Sequence, residues 1–199
     1  LADTGSSSEA ADVLLLLTVS VSWQSQLIDS VSNEQLLGNA SFEPSYCDNV
    51  NIQQLVAECL MIGKGYYFGG GLPVKLICEL SAEVPRLVNH FESVWVKRFI
   101  LNLVSNAIKF TLEGTITISV KRVYIVRSQA GPKSDVREDG LCFSVADTGS
   151  GIPEHKVNRL FRKFSQVHDE NRGGTGLGLW SMKKMLQAMN GQCGHIQNH

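Results

Sequence analysis

The apolar positions of this chain follow a helix period, then a strand period, then a helix period again. The clearest helical stretch runs from Ser93 to Phe110, where Ile100, Leu103, Val104, Ala107 and Ile108 recur at i, i+3, i+4, i+7 and i+8 and mark one buried face. An earlier helix opens at Asn51, with Ile52, Leu55, Val56, Cys59 and Leu60 on its apolar side; Gly63 and Gly65 follow it. Leu72 to Leu80 reads as a strand bounded by turn residues and closed by Pro85. Strict alternation over Thr115 to Val126 places Ile116, Ile118 and Val120 on one face of a strand. Arg127 to Asp139 reads as a polar loop around Gly131-Pro132, and Leu141 to Ala146 as the return strand, with Leu141, Phe143 and Val145 on one face. Pro153 and Glu154 open a short helix to about Phe161. Leu177 to Met189 is the last helix, with Leu179, Met182, Leu186 and Met189 as its core face and Asn190-Gly191 as its stop. Residues 192–199 read as the beginning of a strand.

The first part of the chain is less regular. Residues 1–9 are small and polar. From Ala10 to Leu37 an imperfect helical pattern lets Leu14, Leu17, Val21, Ile28 and Val31 share a face. Two readings stay open, a surface helix on its own domain or one arm of a helical hairpin that dimerises, because periodicity does not name the partner. Gly38 and Asn39 end the pattern and Pro44 marks a linker, so the expected division is a helical segment over 1–48 and a mixed domain over 49–199.

Composition narrows the class without naming it. A length of 199 residues, 43% hydrophobic and 19% charged, suits a soluble globular domain with an appendage. A net charge of −1 excludes a global basic field for nucleic acid. The five cysteines (Cys47, Cys59, Cys78, Cys142 and Cys193) form no metal-spaced pair and read as reduced thiols in a cytosolic setting. The longest apolar run, Val13 to Leu17, is far short of the roughly 20 residues a bilayer span needs. Leu1 is not an initiator methionine, and the expectation is a segment of something longer.

Candidate chemistry lies in two places. Asp147 sits just past the end of the apolar return strand, and Gly149 and Gly151 follow it. Such a carboxylate either caps the next turn or accepts a hydrogen bond from an exocyclic amine such as that of adenine. A polar run, Ser165 to Arg172, reads as a mobile lid, after which Gly173-Gly174-Thr175-Gly176-Leu177-Gly178 opens a helix. Free N–H groups at a helix start form an anion site, and glycine lets the backbone approach a ligand. The second place is the Ser93–Phe110 helix, where Asn102, Asn106 and Lys109 form a polar stripe at i, i+4 and i+7. Each Asn costs up to about 0.7 kcal/mol against Ala inside a helix. The pair either bonds a neighbouring loop or offers two carboxamide oxygens to a hydrated Mg²⁺, with Lys109 meeting a phosphate.

Taken together, these segments resemble the ATP-binding catalytic domain of sensor histidine kinases, within the Bergerat-fold GHKL ATPase superfamily. Asn102 to Thr111 resembles the N box, Asp147 to Pro153 the first glycine box, Leu160 to Gln166 the F box, and Gly173 to Leu179 the second glycine box. The four occur in the family's order, over about Asn49 to Gly191. The resemblance implies an α+β fold, a two-layer α/β sandwich with a mixed sheet backed by helices, after an N-terminal helical segment. It implies ATP and Mg²⁺ as ligands, with Asn106 holding the metal, Asn102 assisting and Lys109 on phosphate. Asp147 would read adenine beside Gly149 and Gly151. Phe164, Arg172, Gly174, Thr175, Gly176, Leu177 and Gly178 would complete the nucleotide site.

The hydrolysing relatives carry a glutamate where this chain has Asn102, and an amide does not titrate. The resemblance therefore favours γ-phosphoryl transfer to a histidine over hydrolysis. None of His90, His155, His168, His195 and His199 stands in the family's acceptor context. The expected acceptor lies upstream, on the first helix of a dimerisation hairpin, and the implied partners are that hairpin, a second copy of the full-length protein and a response-regulator receiver. No nucleic acid or membrane contact is expected of this segment, and the cytoplasmic side is its expected location. The alternatives are a nucleotide-binding regulatory module without kinase activity and, less favoured, an ATP hydrolase.

Overall fold

The computed structural model describes residues 43–68, 73–127, 136–165 and 176–196; the helical pattern of Ala10–Leu37 lies outside them. In chain order the elements are β1 (Val50–Asn51), α1 (Ile52–Phe68), β2 (Val74–Leu80), β3 (Leu87–Val88), α2 (Ser93–Phe110), β4 (Gly114–Arg127), β5 (Val136–Asp147), α3 (Glu154–Val157) and α4 (Gly178–Ala188). The main sheet has the order β2-β4-β5 and is mixed. β2 runs parallel to β4, with Val74 opposite Gly114 and Leu80 opposite Val120. β4 and β5 form an antiparallel hairpin, with Ile116 opposite Asp147 and Arg127 opposite Val136. β1 and β3 make a separate two-stranded ribbon.

The periodicities set out above become the two layers. Ile116, Ile118 and Val120 are fully buried on one face of β4. Against the sheet side lie Ile52, Leu55, Val56 and Cys59 of α1, Val96, Phe99, Ile100 and Val104 of α2, and Met182 and Met185 of α4, in one apolar cluster. Burial pushes the Cys59 thiol up to about 12, so it packs as a small hydrophobe. Lys97 of α2 pairs with Glu58 of α1, and that hydrogen bond holds the Glu58 carboxyl below its usual value.

Several boundaries differ from the sequence reading, each for a tertiary reason. The polar stretch from Arg127 to Asp139 is strand at both ends: Arg127 closes β4, and β5 already begins at Val136. Cross-strand pairing carries residues of low strand propensity, among them Asp139, which pairs with Arg122 across the hairpin. Gly63 and Gly65 do not follow α1 but lie inside it. At Gly63 a Cβ would meet Val104 Cγ1 at 3.0 Å, so glycine permits α1 to lie close on α2. The helix expected to reach Phe161 is the four-residue α3, continued by turns to Phe164. In α4 the buried side chains are Met182 and Met185, while Leu179, Leu186 and, just past the helix, Met189 are half-buried against the core. Residues 191–196 form no strand.

Glu92 carries no signal in the apolar pattern, yet it is 1% exposed. Its carboxylate caps α2 by accepting from the Trp95 N–H, and it also accepts from the Ser45 backbone. Burial raises its pKa above 4.5, opposed by those hydrogen bonds and by Arg98. The folded state therefore retains this proton to higher pH than the unfolded chain. Its stabilising contribution is complete below pH 4.5 and is lost as pH rises through the raised value. Glu92→Gln keeps an acceptor without the charge, so its melting temperature should gain on wild type as pH rises above 4.5. A constant difference across that range would remove the linkage.

Candidate functional site

The centre of the site is α2, which meets both glycine segments. Its polar stripe, Asn102, Asn106 and Lys109, is half-buried beside the buried apolar stripe. At the C-terminal end of α2, the Thr111 N–H closes the last turn on the Ala107 carbonyl at 2.9 Å. The Phe110 carbonyl, otherwise orphaned at a helix end, accepts from the Ser150 N–H at 3.3 Å. Gly149 lies so close beneath it that a Cβ there would fall 2.4 Å from the Phe110 oxygen. The Lys109 ammonium stands 5.3 Å above the Phe110 ring.

Asp147 is the last residue of β5 rather than a residue past its end. Its Oδ1 accepts from the Gly149 N–H at 2.9 Å, an Asx turn that fixes the carboxylate. The turn-capping role therefore exists, and it uses only one of two oxygens; the side chain is exposed. The next residue is anchored reciprocally. The Thr148 N–H donates to the Thr115 carbonyl at 3.1 Å, and the Thr115 N–H donates to Thr148 Oγ1 at 2.9 Å. Gly151 has φ +67°, with open space around it.

The second glycine segment returns to the same helix. Gly178, the first residue of α4, sits directly over Asn102, where a Cβ would fall 2.4 Å from Oδ1. The amide nitrogen of Asn102 is buried with no hydrogen-bond partner, a donor left open under a helix start. Leu177 is buried. Gly176, at φ +68°, packs on the backbone of Phe164 and Ser165. Phe164 is itself at φ +60° and 57% exposed. Arg172, Gly174 and Thr175, and the stretch read as a lid, lie outside the described residues. The structure thus gathers Asn102 with Gly178, Asp147 with Gly149 and the end of α2, and Gly176 with Phe164. The sequence reading missed the Thr115–Thr148 tie and the meeting of Gly176 with Phe164, since contacts across distant segments leave no local pattern.

The site is thus a mixed sheet backed by helices, with an asparagine helix between two glycine turns. The family model described as "Histidine kinase-, DNA gyrase B-, and HSP90-like ATPase" matches residues 92–198, more than half of the chain. The chain belongs to this ATPase family. Its fold is the Bergerat α/β sandwich. Among its relatives is Two-component system protein A of Emericella nidulans, 27% identical over 201 residues, covering 100% of this chain and 28% of the relative. Peroxide stress-activated histidine kinase mak2 of Schizosaccharomyces pombe is 29% identical, covering 98% of this chain and 8% of the relative. Among solved structures, full-length ShkA in complex with AMPPNP aligns with a TM-score of 0.61 at 25% identity, over 92% of this chain and 32% of that one. The chain thus spans less than a third of the length of each. Among the described residues no helix is long and apolar enough to cross a membrane.

Proposed function

We propose that this chain is the ATP·Mg²⁺-binding catalytic module of a histidine kinase, which transfers the γ-phosphoryl group to a histidine supplied by another segment or chain. The observation that carries the reading is the amide nitrogen of half-buried Asn102, buried beside Gly178 with no hydrogen-bond partner, where α2 meets the glycine start of α4. An amide at that place orients and hydrogen-bonds but cannot take a proton from water. The donors on this face are carboxamides, with neither thiol nor imidazole in the stripe, which fits an oxygen-ligated cation and phosphate.

In this reading Asn106 offers its carboxamide oxygen to Mg²⁺, and Asn102 donates to a water or phosphate oxygen beside it. Lys109 approaches a phosphate. Gly174, Thr175, Gly176, Leu177 and Gly178 bring backbone N–H groups to the phosphates, with Arg172 on the γ-phosphate and Phe164 alongside. Asp147 accepts from the adenine amine, with Gly149 and Gly151 leaving room for the ring. Mg²⁺ supplies charge neutralisation on the phosphates. A ring nitrogen of the acceptor histidine forms the new N–P bond as the Pγ–O bond to ADP breaks. ADP keeps the electron pair, and the imidazole's other N–H proton passes to solvent. Positioning and charge neutralisation do most of this work, because the protein makes no covalent bond other than at the acceptor.

Among the described histidines, His90 sits in a turn stacked on Tyr46 at 4.0 Å, His155 in the four-residue α3 and His195 beyond α4, none on a long helix. That supports an acceptor from elsewhere: the dimerisation hairpin of a cytoplasmic, homodimeric full-length protein that passes the group to a response-regulator receiver. It equally favours a second reading, a nucleotide-binding regulatory module with no transfer. Incubating the chain with γ-labelled ATP and a separate acceptor hairpin decides between them. Label is expected on the hairpin histidine, reduced at least about 100-fold by Asn106→Ala. ATP binding with no label on any acceptor would establish the regulatory module, and rapid phosphate release without labelled protein would establish a hydrolase.

A further inference from the structure

The Lys109 ammonium, placed on a phosphate in the reading above, already has a resting place on its own helix. Its Nζ stands 5.3 Å from the centre of the Phe110 ring, within the range of cation–π attraction. Both residues are half-buried in the last turn of α2. The C-terminal end of a helix carries partial negative charge, so the dipole draws the ammonium the same way. Ordering a lysine on a ligand costs more side-chain freedom than ordering almost any other residue. A ring that holds the ammonium before the ligand arrives removes part of that cost.

Phe110 is in turn fixed by the turn that holds Asp147. The Ser150 N–H donates to the Phe110 carbonyl at 3.3 Å. A Cβ on Gly149 would fall 2.4 Å from that oxygen and 2.9 Å from the carbonyl carbon, so the glycine backbone lies against the Phe110 peptide unit. The Gly149 N–H donates to Asp147 Oδ1 at 2.9 Å. The pinned carbonyl and the ring belong to the same residue. Contacts therefore run without a break from the carboxylate assigned to the base, through Gly149 and Phe110, to the cation assigned to the phosphates.

We infer that Phe110 is a positioning residue: its ring, fixed on the Asp147–Gly149 turn, holds the Lys109 ammonium where it meets the phosphates of ATP. The inference rests on the ATP reading above, and the two fail separately. Binding of ATP and of adenosine, each with excess Mg²⁺, is followed by NMR titration. Phe110→Leu should lower the ratio of ATP to adenosine affinity about two- to five-fold, the loss expected for one cation–π contact near the surface. A ring that merely packed would cost both ligands alike and leave the ratio unchanged. Phe110→Tyr, which keeps the ring face, should restore the ratio. Lys109→Met should also lower the ratio, and adding Phe110→Leu to it should lower it no further, because the ring then has no ammonium to hold.

A second readout needs no nucleotide. The ring current of Phe110 should shift the Lys109 ε-methylene protons upfield, and Phe110→Leu should return them to the ordinary lysine position while Phe110→Tyr keeps the shift. An unchanged affinity ratio in Phe110→Leu would overturn the positioning role, as would a tyrosine variant no better than leucine, or ordinary Lys109 shifts in the wild type. Each of these leaves the ATP reading standing, because the wild type still binds ATP. A wild type that bound no ATP would overturn the ATP reading and the positioning role with it, even with the ring-current shift in place.

Discussion

Asp147→Asn is expected to weaken ATP binding by about 10- to 200-fold, the range for losing a hydrogen bond to a charged group. Geometry supplies the sign. In wild type, Oδ1 is occupied by the Gly149 N–H at 2.9 Å, leaving the second oxygen for an amine. In the asparagine variant the carbonyl oxygen is expected to keep the Gly149 contact, because that turn forms without any ligand. The amide NH₂ then faces the adenine NH₂, donor against donor. Asp147 is exposed, so the melting temperature without nucleotide should move little. Calorimetry with ATP together with thermal melts checks both halves, and unchanged affinity would remove the adenine role from Asp147.

Gly149→Ala is expected to damage folding and binding together. The added Cβ would fall 2.4 Å from the Phe110 carbonyl oxygen and 2.8 Å from Asp147 Oδ1. The first of these is helix backbone and cannot rotate away. Overpacking of this kind costs about 1–3 kcal/mol, which lowers a melting temperature by roughly 2–12 °C in a domain of this size. The turn that holds Asp147 must also shift, so ATP affinity should fall with stability. Gly151→Ala is the comparison. At φ +67° with nothing within 4 Å, it carries left-handed strain but no collision, a cost of about 1–2 kcal/mol. Equal effects on the Asp147-dependent affinity from both variants would show that conformation, not close approach, explains the first glycine.

Much of the fold was written in local periodicity. The boundaries of α2 coincide with those read from its apolar stripe, because an eighteen-residue amphipathic helix with a defined cap and a C-terminal turn has little competition. The β4 face of Ile116, Ile118 and Val120 was equally legible, since a single residue of slip would turn it to water. The boundaries of β5 were not, because Val136 to Asp139 owe their strand conformation to partners on β4 rather than to their own propensity. Gly63 and Gly65 read as a stop, since glycine weakens a helix on its own. The approach of Val104 explains why α1 carries a glycine at position 63.

Within the site, sequence alone determined the candidate chemistry: an asparagine stripe at helical spacing, a carboxylate at a strand end, and glycines where a backbone must come close. These are properties of residue type and short spacing, which survive without coordinates. Tertiary structure decided what each faces. It placed Gly178 over Asn102, Gly149 under Phe110 and Gly176 on Phe164, and it buried Glu92 at the cap of α2. Each of these contacts joins segments whose separation along the chain is set by the fold, so no periodicity encodes it. The close approach of α2 to both glycine turns is a consequence of packing one helix against a sheet edge and a second helix at once.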